Sequence, residues 1–371
     1  MSEKALYIGI MSGTSLDGVD CALVEIDDQS VTLRDALDYP YPDHLRQKVL
    51  AMCLGQPTRL DQIGALDHQL GHLYADAALA LLAKSGTKAR DIAAIGNHGQ
   101  TVFHQPSGPT PFTTQLGDAH IIAAKTGIDT IADFRRKDMA LGGQGAPLVP
   151  AFHQALFPVT DSSVAVLNIG GIANISLLRP DKPVIGYDTG PGNMLMDAWC
   201  EKHLGAPFDK DAQWAQQGQV HPLLLNTLLS DPYLTQPAPK STGREHYNLP
   251  WLMAQLTPFS LPVEDVQRTL CEFTAISIAN EVARYAEGPH PELLVCGGGV
   301  RNPLLMNRLA ALLPQWQVSS TSDKGVDSDN MEAMAFAWLA YRRLHGLPSN
   351  LPDVTGAQRS ASLGVMYWAE K

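Results

Sequence analysis

Residues 8–26 read IGIMSGTSLDGVDCALVEI. Two apolar, β-branched runs flank a short polar loop, which predicts two strands, residues 5–11 and 21–26, paired as a hairpin. The loop contains Ser12, Gly13, Thr14, Ser15, Asp17, Gly18 and Asp20, but no lysine. Gly13 and Gly18 would let successive backbone N–H groups converge on an anion, and Ser12, Thr14 and Ser15 add hydroxyl donors. Asp17 and Asp20 oppose an anion unless a divalent cation lies between them and a phosphate, where Mg²⁺ prefers hard oxygen ligands. The alternative is a polar turn whose Asp and Ser side chains bond their own backbone. The loop alone leaves both readings open.

The same design recurs. VAVLNIGGIANISLL, residues 164–178, again places two apolar runs around a small turn, here Gly170-Gly171 between Asn168 and Asn174. Between the two hairpins, residues 62–84 carry apolar positions at helical spacing with Gly86 as a stop. Residues 92–95 form an apolar strand that runs into Asn97, His98, Gln100 and Thr101. Residues 129–150, DTIADFRRKDMALGGQGAPLVP, mix a strand with a glycine-rich loop and read as a domain crossover. Beyond the second hairpin come a strand ending at Asp188, a glycine/proline turn and a helix over residues 193–203. Helices are expected at 264–286 and 329–345. Between them lies a strand, the CGGG loop, and a helix opened by Asn302-Pro303, a favoured cap and first-turn pair. Strands alternating with helices, in two similar halves, indicate an α/β protein. A chain of 371 residues is long enough for two domains.

A formal net charge of −11 and the lack of any Lys/Arg-rich run exclude a nucleic-acid partner, which needs a basic footprint. No apolar run approaches the ~18–20 residues that span a bilayer, and the N-terminus has no signal-peptide pattern, so a membrane partner is not expected. Five scattered cysteines, never spaced C-x-x-C, read as reduced thiols of a cytoplasmic protein.

There is no G-x-x-x-x-G-K-[ST] stretch, and CGGGVRN has Asn302 where a dinucleotide fingerprint needs its third glycine. A nucleotide contact at that helix start stays open. Asp188, at a strand end before TGPGN, is either a general base held in a rigid turn or a cap of that turn. Asp329-x-x-Glu332 fits a capping box, the reading that spacing favours over a site residue. His68 and His72 have metal-pair spacing but lack a third ligand, so a solvated helix face is the simpler reading. His98 among amides and hydroxyls suits sugar hydroxyls. Arg135 and Arg136 suit either an anionic group or surface ion pairs.

Several stretches together resemble the anhydro-N-acetylmuramic acid kinases of bacterial cell-wall recycling. They are MSGTSLDGVD (11–20), NHGQT (97–101), DFR (133–135), GGQGAPLVP (142–150), LNIGGIANIS (167–176), DTGPGN (188–193), CGGG (296–299), EAMAFAWLA (332–340) and TGA (355–357). The resemblance implies the sugar kinase/Hsp70/actin superfamily: two domains of duplicated actin-like, ribonuclease H-like design, each a mixed β-sheet flanked by helices, around an ATP and sugar cleft. Domain I would comprise residues 1–133 with 355–371, and domain II residues 134–354. Paired hairpin turns would replace the P-loop, with ATP held by Gly13, Thr14, Ser15, Leu16, Asp17, Gly18, Val19 and Asp20 on one side. Asn168, Gly170, Gly171, Gly297, Gly298 and Gly299 would hold it on the other, with Mg²⁺ at Asp17 and Asp20. His98, Gln100, Thr101, Arg135, Asn193 and Glu332 would contact the sugar. The implied reaction opens the 1,6-anhydro ring with water, Asp188 acting as base, and phosphorylates O6, in a cytoplasmic homodimer. Competing readings are an ordinary sugar hydroxyl kinase, a metal-dependent carbamoyl transferase using His68 and His72, and a nucleotide-driven switch.

Overall fold

A three-stranded antiparallel meander opens each half of the chain. The computed structural model describes residues 4–13, 16, 18–238, 240–244 and 246–370. In the first half, β1 (Ala5–Met11), β2 (Gly18–Ile26) and β3 (Val31–Pro40) are followed by α1 (Asp43–Cys53) and α2 (Leu60–Ser85). Then come β4 (Ile92–Asn97), the small hairpin of β5 (Gln100–Gln105) and β6 (Phe112–Leu116), α3 (Ala119–Thr126), β7 (Thr130–Ala132), α4 (Phe134–Ala140) and α5 (Val149–Leu156). The second half has β8 (Val164–Ile169), β9 (Ile172–Leu178), β10 (Ile185–Pro191), α6 (Met194–Leu204), α7 (Pro222–Leu229), α8 (Leu249–Leu256) and α9 (Val263–Val282). It continues through β11 (Glu292–Cys296), α10 (Pro303–Leu312) and β12 (Gln317–Ser320), before α11 (Met331–Leu344), α12 (Pro352–Thr355) and β13 (Val365–Tyr367).

The strand orders are β13-β7-β4-β1-β2-β3 and β10-β9-β8-β11-β12. Setting β13 aside, each sheet runs third, second, first, fourth, fifth. Its first strand is antiparallel to the second and parallel to the fourth. This shared topology is the duplication anticipated from the two hairpins. The first hairpin's second strand begins at Gly18 rather than residue 21, because Gly18 and Val19 already pair with Pro40 and Tyr39 of β3.

The chain divides into residues 1–156 with 330–371 as one unit, and residues 157–329 as the other. This division differs from the expected breaks at 133/134 and 354/355, for two physical reasons. First, α11 is seated on the first sheet. Gly9 and Gly96 are register partners on β1 and β4. A Cβ on Gly9 would lie 1.8 Å from the Ala333 carbonyl oxygen, and one on Gly96 would lie 2.0 Å from that of Phe336. The bare patch lets the helix backbone approach. Second, the glycine loop after α4 is tied to the C-terminal segment, with Gln144 N–H donating to the Thr355 carbonyl at 2.7 Å and Gln358 N–H to that of Leu141 at 2.8 Å.

Ile8 and Ile10 of β1 enter the core beneath α2, while Tyr7 meets Tyr341 of α11 edge-on at 5.7 Å. Both faces of β1 are therefore covered, which explains its nearly continuous apolar run. In α2 the buried series Leu66, Leu70, Leu73, Ala77 and Leu81 follows helical spacing, and Gly86 ends the helix in the left-handed region. The core of the second unit collects Leu167, Ile169, Ala173, Ile175, Leu293 and Val295 against α9. Of the five free cysteines only Cys53 is exposed. No described helix is long and apolar enough to cross a membrane.

Candidate functional site

In the first unit the loop after β1 is held from the side by Gln100. Ser12 Oγ donates to Gln100 Oε1 at 2.7 Å, and Gln100 Nε2 donates to the Gly13 carbonyl at 3.4 Å. Gln100 thus braces the hairpin turn, and the Thr101 hydroxyl accepts from Gln115 Nε2 at 3.1 Å. Leu16 and Val19 are buried in the core, so their side chains anchor the loop. Leu16 has φ 57, a left-handed conformation that a non-glycine residue holds only under constraint. A Cβ on Gly18 would lie 1.9 Å from Asp38 Oδ1, so a side chain there would displace that carboxylate. Thr14, Ser15 and Asp17 lie outside the described residues.

Asp20 stands opposite Asp38 across β2 and β3. Burial and then the charges of these two carboxylates push the Cys21 thiol up. Among the described residues no three His, Cys, Asp or Glu side chains are grouped to hold an ion, His68 and His72 included. Their rings meet edge-on at 4.7 Å.

A second group in this unit joins three of the expected sugar ligands. Arg135, on α4, donates to His98 Nε2 from Nε at 3.1 Å and from its second guanidinium arm at 2.9 Å; its remaining arm donates to the Gly145 carbonyl at 2.7 Å. His98 Nε2 is therefore an acceptor on a neutral imidazole, which burial and then the Arg135 charge keep well below the usual histidine range. Burial brings Arg135 down to about 10, opposed by Glu332 and Asp138, so it stays cationic at neutral pH. Glu332 is raised by burial and pulled back by Arg135. The capping-box reading of Glu332 is overturned. Asn330 is the N-cap of α11 without a side-chain cap bond, and Asp329 pairs with Arg301 at 2.8 Å. Arg136 is exposed and forms a surface pair with Asp133 at 3.2 Å.

Asp138 was not singled out from the sequence. Fully buried on α4, it accepts from Asn350 Nδ2 at 2.6 Å, Thr355 Oγ1 at 2.8 Å and Gly145 N–H at 2.8 Å. It therefore holds the loop whose carbonyl orients Arg135. The only local trace is Gly143, whose Cβ would lie 2.2 Å from Asp138 Oδ2.

In the second unit, Asp188, Asn174, Asn168 and Cys296 are successive register partners across β10, β9, β8 and β11. Register partners share a sheet face, and alternation puts these four opposite the Leu167–Ile175–Val295 core. β10 does not stop at Asp188 but continues to Pro191 across a bulge, the kind of irregularity that re-aims a side chain. Ser241 Oγ and Thr242 N–H donate to Asp188 Oδ2 at 2.9 and 3.0 Å. Neither donor was evident from the sequence.

The Gly170-Gly171 turn is clasped by the DTGPGN segment. Asn193 N–H donates to the Gly170 carbonyl at 2.8 Å, Gly192 N–H to that of Gly171 at 2.9 Å, and Asn193 Nδ2 to that of Ile169 at 3.1 Å. Asn193 consequently shapes the turn. Gly297, at φ 79, passes so close to Asn168 that a Cβ would lie 2.3 Å from its Oδ1, and one on Gly299 would strike Ile169. The second hairpin and the CGGG loop are thus in direct contact. Gly298 lies near Asn193, and Asn302 caps α10 by accepting from Leu305 N–H at 2.9 Å.

Residues 5–369 match the family described as anhydro-N-acetylmuramic acid kinase. The chain belongs to that family. It is similar to the anhydro-N-acetylmuramic acid kinase of Vibrio vulnificus, 68% identical over 99% of each chain. That of Vibrio cholerae is 65% identical over 100% of each. The Pasteurella multocida kinase is 57% identical over 100% of this chain and 99% of its own. Among solved structures, a ROK family glucokinase from Streptomyces griseus in complex with glucose and AMPPNP aligns at TM-score 0.40 and 12% identity. The alignment covers 91% of this chain and 100% of that one. Every stretch of the chain that carried the resemblance to the anhydro-N-acetylmuramic acid kinases falls within the matched residues.

Proposed function

We propose that the protein is an ATP-dependent kinase that opens the 1,6-anhydro ring of anhydro-N-acetylmuramic acid with water and phosphorylates O6, in cell-wall recycling. The observation that carries this reading is the family match over residues 5–369. Asp188 takes a proton from water, whose oxygen bonds to the anomeric carbon as the C1–O6 bond breaks. O6 takes the γ-phosphoryl group, ADP leaves, and the proton on Asp188 passes to solvent. A carboxylate is ionised at neutral pH from a reference near ~3.9 and suits this task. Ser241 Oγ and Thr242 N–H, donating to Oδ2, hold the carboxylate in place.

Phosphoryl transfer is mostly positioning and charge neutralisation. The two glycine turns and the CGGG loop supply backbone donors for ATP, and His98, Arg135 and Glu332 form the sugar-recognition group. Mg²⁺, when bound with ATP, neutralises phosphate charge. Asp17 and Asp20 are the carboxylates that would hold such an ion, which takes hard oxygen ligands alongside phosphates and water. A cytoplasmic homodimer completes the proposal.

The test is ATP consumption with anhydro-N-acetylmuramic acid beside open N-acetylmuramic acid and glucose. Turnover is expected on the anhydro sugar alone. Equal or greater turnover on the open sugars would replace this reading with an ordinary hydroxyl kinase.

A further inference from the structure

Asp188 is gripped at more than its carboxylate. Its N–H donates to the Lys240 carbonyl at 3.1 Å, and its own carbonyl accepts from the Tyr233 hydroxyl at 2.7 Å. The two residues that follow Lys240 are the Oδ2 donors, Ser241 and Thr242. All of these contacts come from two short segments, and one ammonium group pins both. The Lys240 side chain, 2% exposed, donates to Glu281 Oε1 of α9 at 2.8 Å and to the carbonyls of Tyr233 and Leu234 at 3.3 and 3.2 Å. Its Nζ lies 4.9 Å from the centre of the Tyr233 ring. Glu281, 4% exposed, also accepts from the Tyr187 hydroxyl at 2.9 Å, the residue before Asp188.

A buried ion pair is poor evidence of stability, because desolvation offsets most of the attraction. Its consequence here is geometric: loop, strand and helix are locked in one register around Asp188. Ser241, by contrast, is exposed, and its hydroxyl donates to the Asp188 carboxylate.

We infer that Ser241 is a positioning residue for the base, its hydroxyl orienting the Asp188 carboxylate from a loop fixed by the buried Lys240–Glu281 pair. This rests on Asp188 being the base. Among the described residues, the titratable and charged groups named around Asp188 include Tyr233 from the turn before the loop, Lys240 in it, and Glu281 with Arg284 and Tyr187 behind. From β9 it faces Asn174, which does not titrate. Ser241→Ala removes a side-chain donor that touches the carboxylate itself, while the Thr242 N–H donor stays.

The experiment compares the full-length wild type, Ser241→Ala, Ser241→Thr and Asp188→Asn, measuring kcat and both KM values from pH 4.5 to 9. For Ser241→Ala we expect kcat to fall about tenfold, with both KM values within about twofold. Its acidic limb should move up by roughly half to one pH unit, as expected when a carboxylate loses a donor. Ser241→Thr, which keeps the hydroxyl, should restore both. Wild-type kcat and acidic limb in Ser241→Ala, beside an inactive Asp188→Asn, would overturn the inference and leave the base in place. Near-normal turnover by Asp188→Asn would instead remove the reading on which it rests.

Discussion

Gly9 and Ala333 approach so closely that a β-carbon on the glycine would lie 1.8 Å from the alanine's carbonyl oxygen. Neither side can yield cheaply, since one is central in β1 and the other is helix backbone in α11. Gly9→Ala should therefore cost more than the roughly 1–3 kcal/mol of ordinary overpacking. Gly64, exposed within α2, meets nothing within 4 Å of its missing β-carbon. Gly64→Ala should stabilise the protein by about 0.5–1 kcal/mol through helix propensity. Urea midpoints moving in opposite directions would verify the seating of α11; a neutral Gly9→Ala would refute it.

Asp138 links stability to the proposed sugar-recognition group. It holds Gly145 N–H, while the Gly145 carbonyl holds Arg135, which in turn holds His98. Asp138→Asn can keep its oxygen towards Asn350 and Thr355, but it then sets an amide donor against Gly145 N–H. Hydrogen bonds to a charged group contribute about 1.5–3 kcal/mol each, so a loss of at least ~2 kcal/mol is expected. At a temperature where the variant remains folded, KM for the sugar should rise while KM for ATP holds. A variant with wild-type stability and sugar KM would show that Asp138 does not organise this group.

His153 of α5 is 2% exposed, and burial alone pushes its imidazole down to about 3. Its unfolded reference is near ~6.5. Between these values the unfolded chain binds a proton that the folded one refuses, so folding is favoured fully above ~6.5 and weakens as pH falls towards 3. The slope is about 1.4 kcal/mol per pH unit for each such histidine, and His98, held well below its usual range, acts in the same direction. Unfolding free energies at pH 5 and 7.5 should differ less in His153→Gln than in the wild type. An unchanged difference would contradict the burial account.

The hairpins, the alternating α/β order and the α2 face were legible because each rests on neighbours within a few residues. Apolar runs covered on both faces, as in β1, and the Asn302-Pro303 helix start are local signals of that kind. Other features depend on partners far along the chain. The place of α11 was hidden because Gly9 and Gly96 acquire meaning only when Ala333 and Phe336 are brought onto them. Asp138 looked like one more charge in an Arg-Arg-Lys-Asp run until Asn350 and Thr355 closed over it. Glu332 had cap-like spacing, and the two readings separate only once Asn330 stands at the N-cap, Asp329 pairs with Arg301 and Arg135 comes near Glu332. The Ser241 and Lys240 contacts with Asp188 had no sequence signature at all.

The most direct test of the account follows oxygen. The reaction is run to completion in ¹⁸O-labelled water, quenched quickly, and the phosphorylated sugar is analysed by mass spectrometry. Unlabelled product soaked in the same water serves as the exchange control. The account predicts one ¹⁸O at the anomeric hydroxyl, none in the O6 phosphate ester linkage, and one ADP per sugar. A phosphorylated product without label at the anomeric carbon would contradict it, because the ring would then have been phosphorylated without water attacking it.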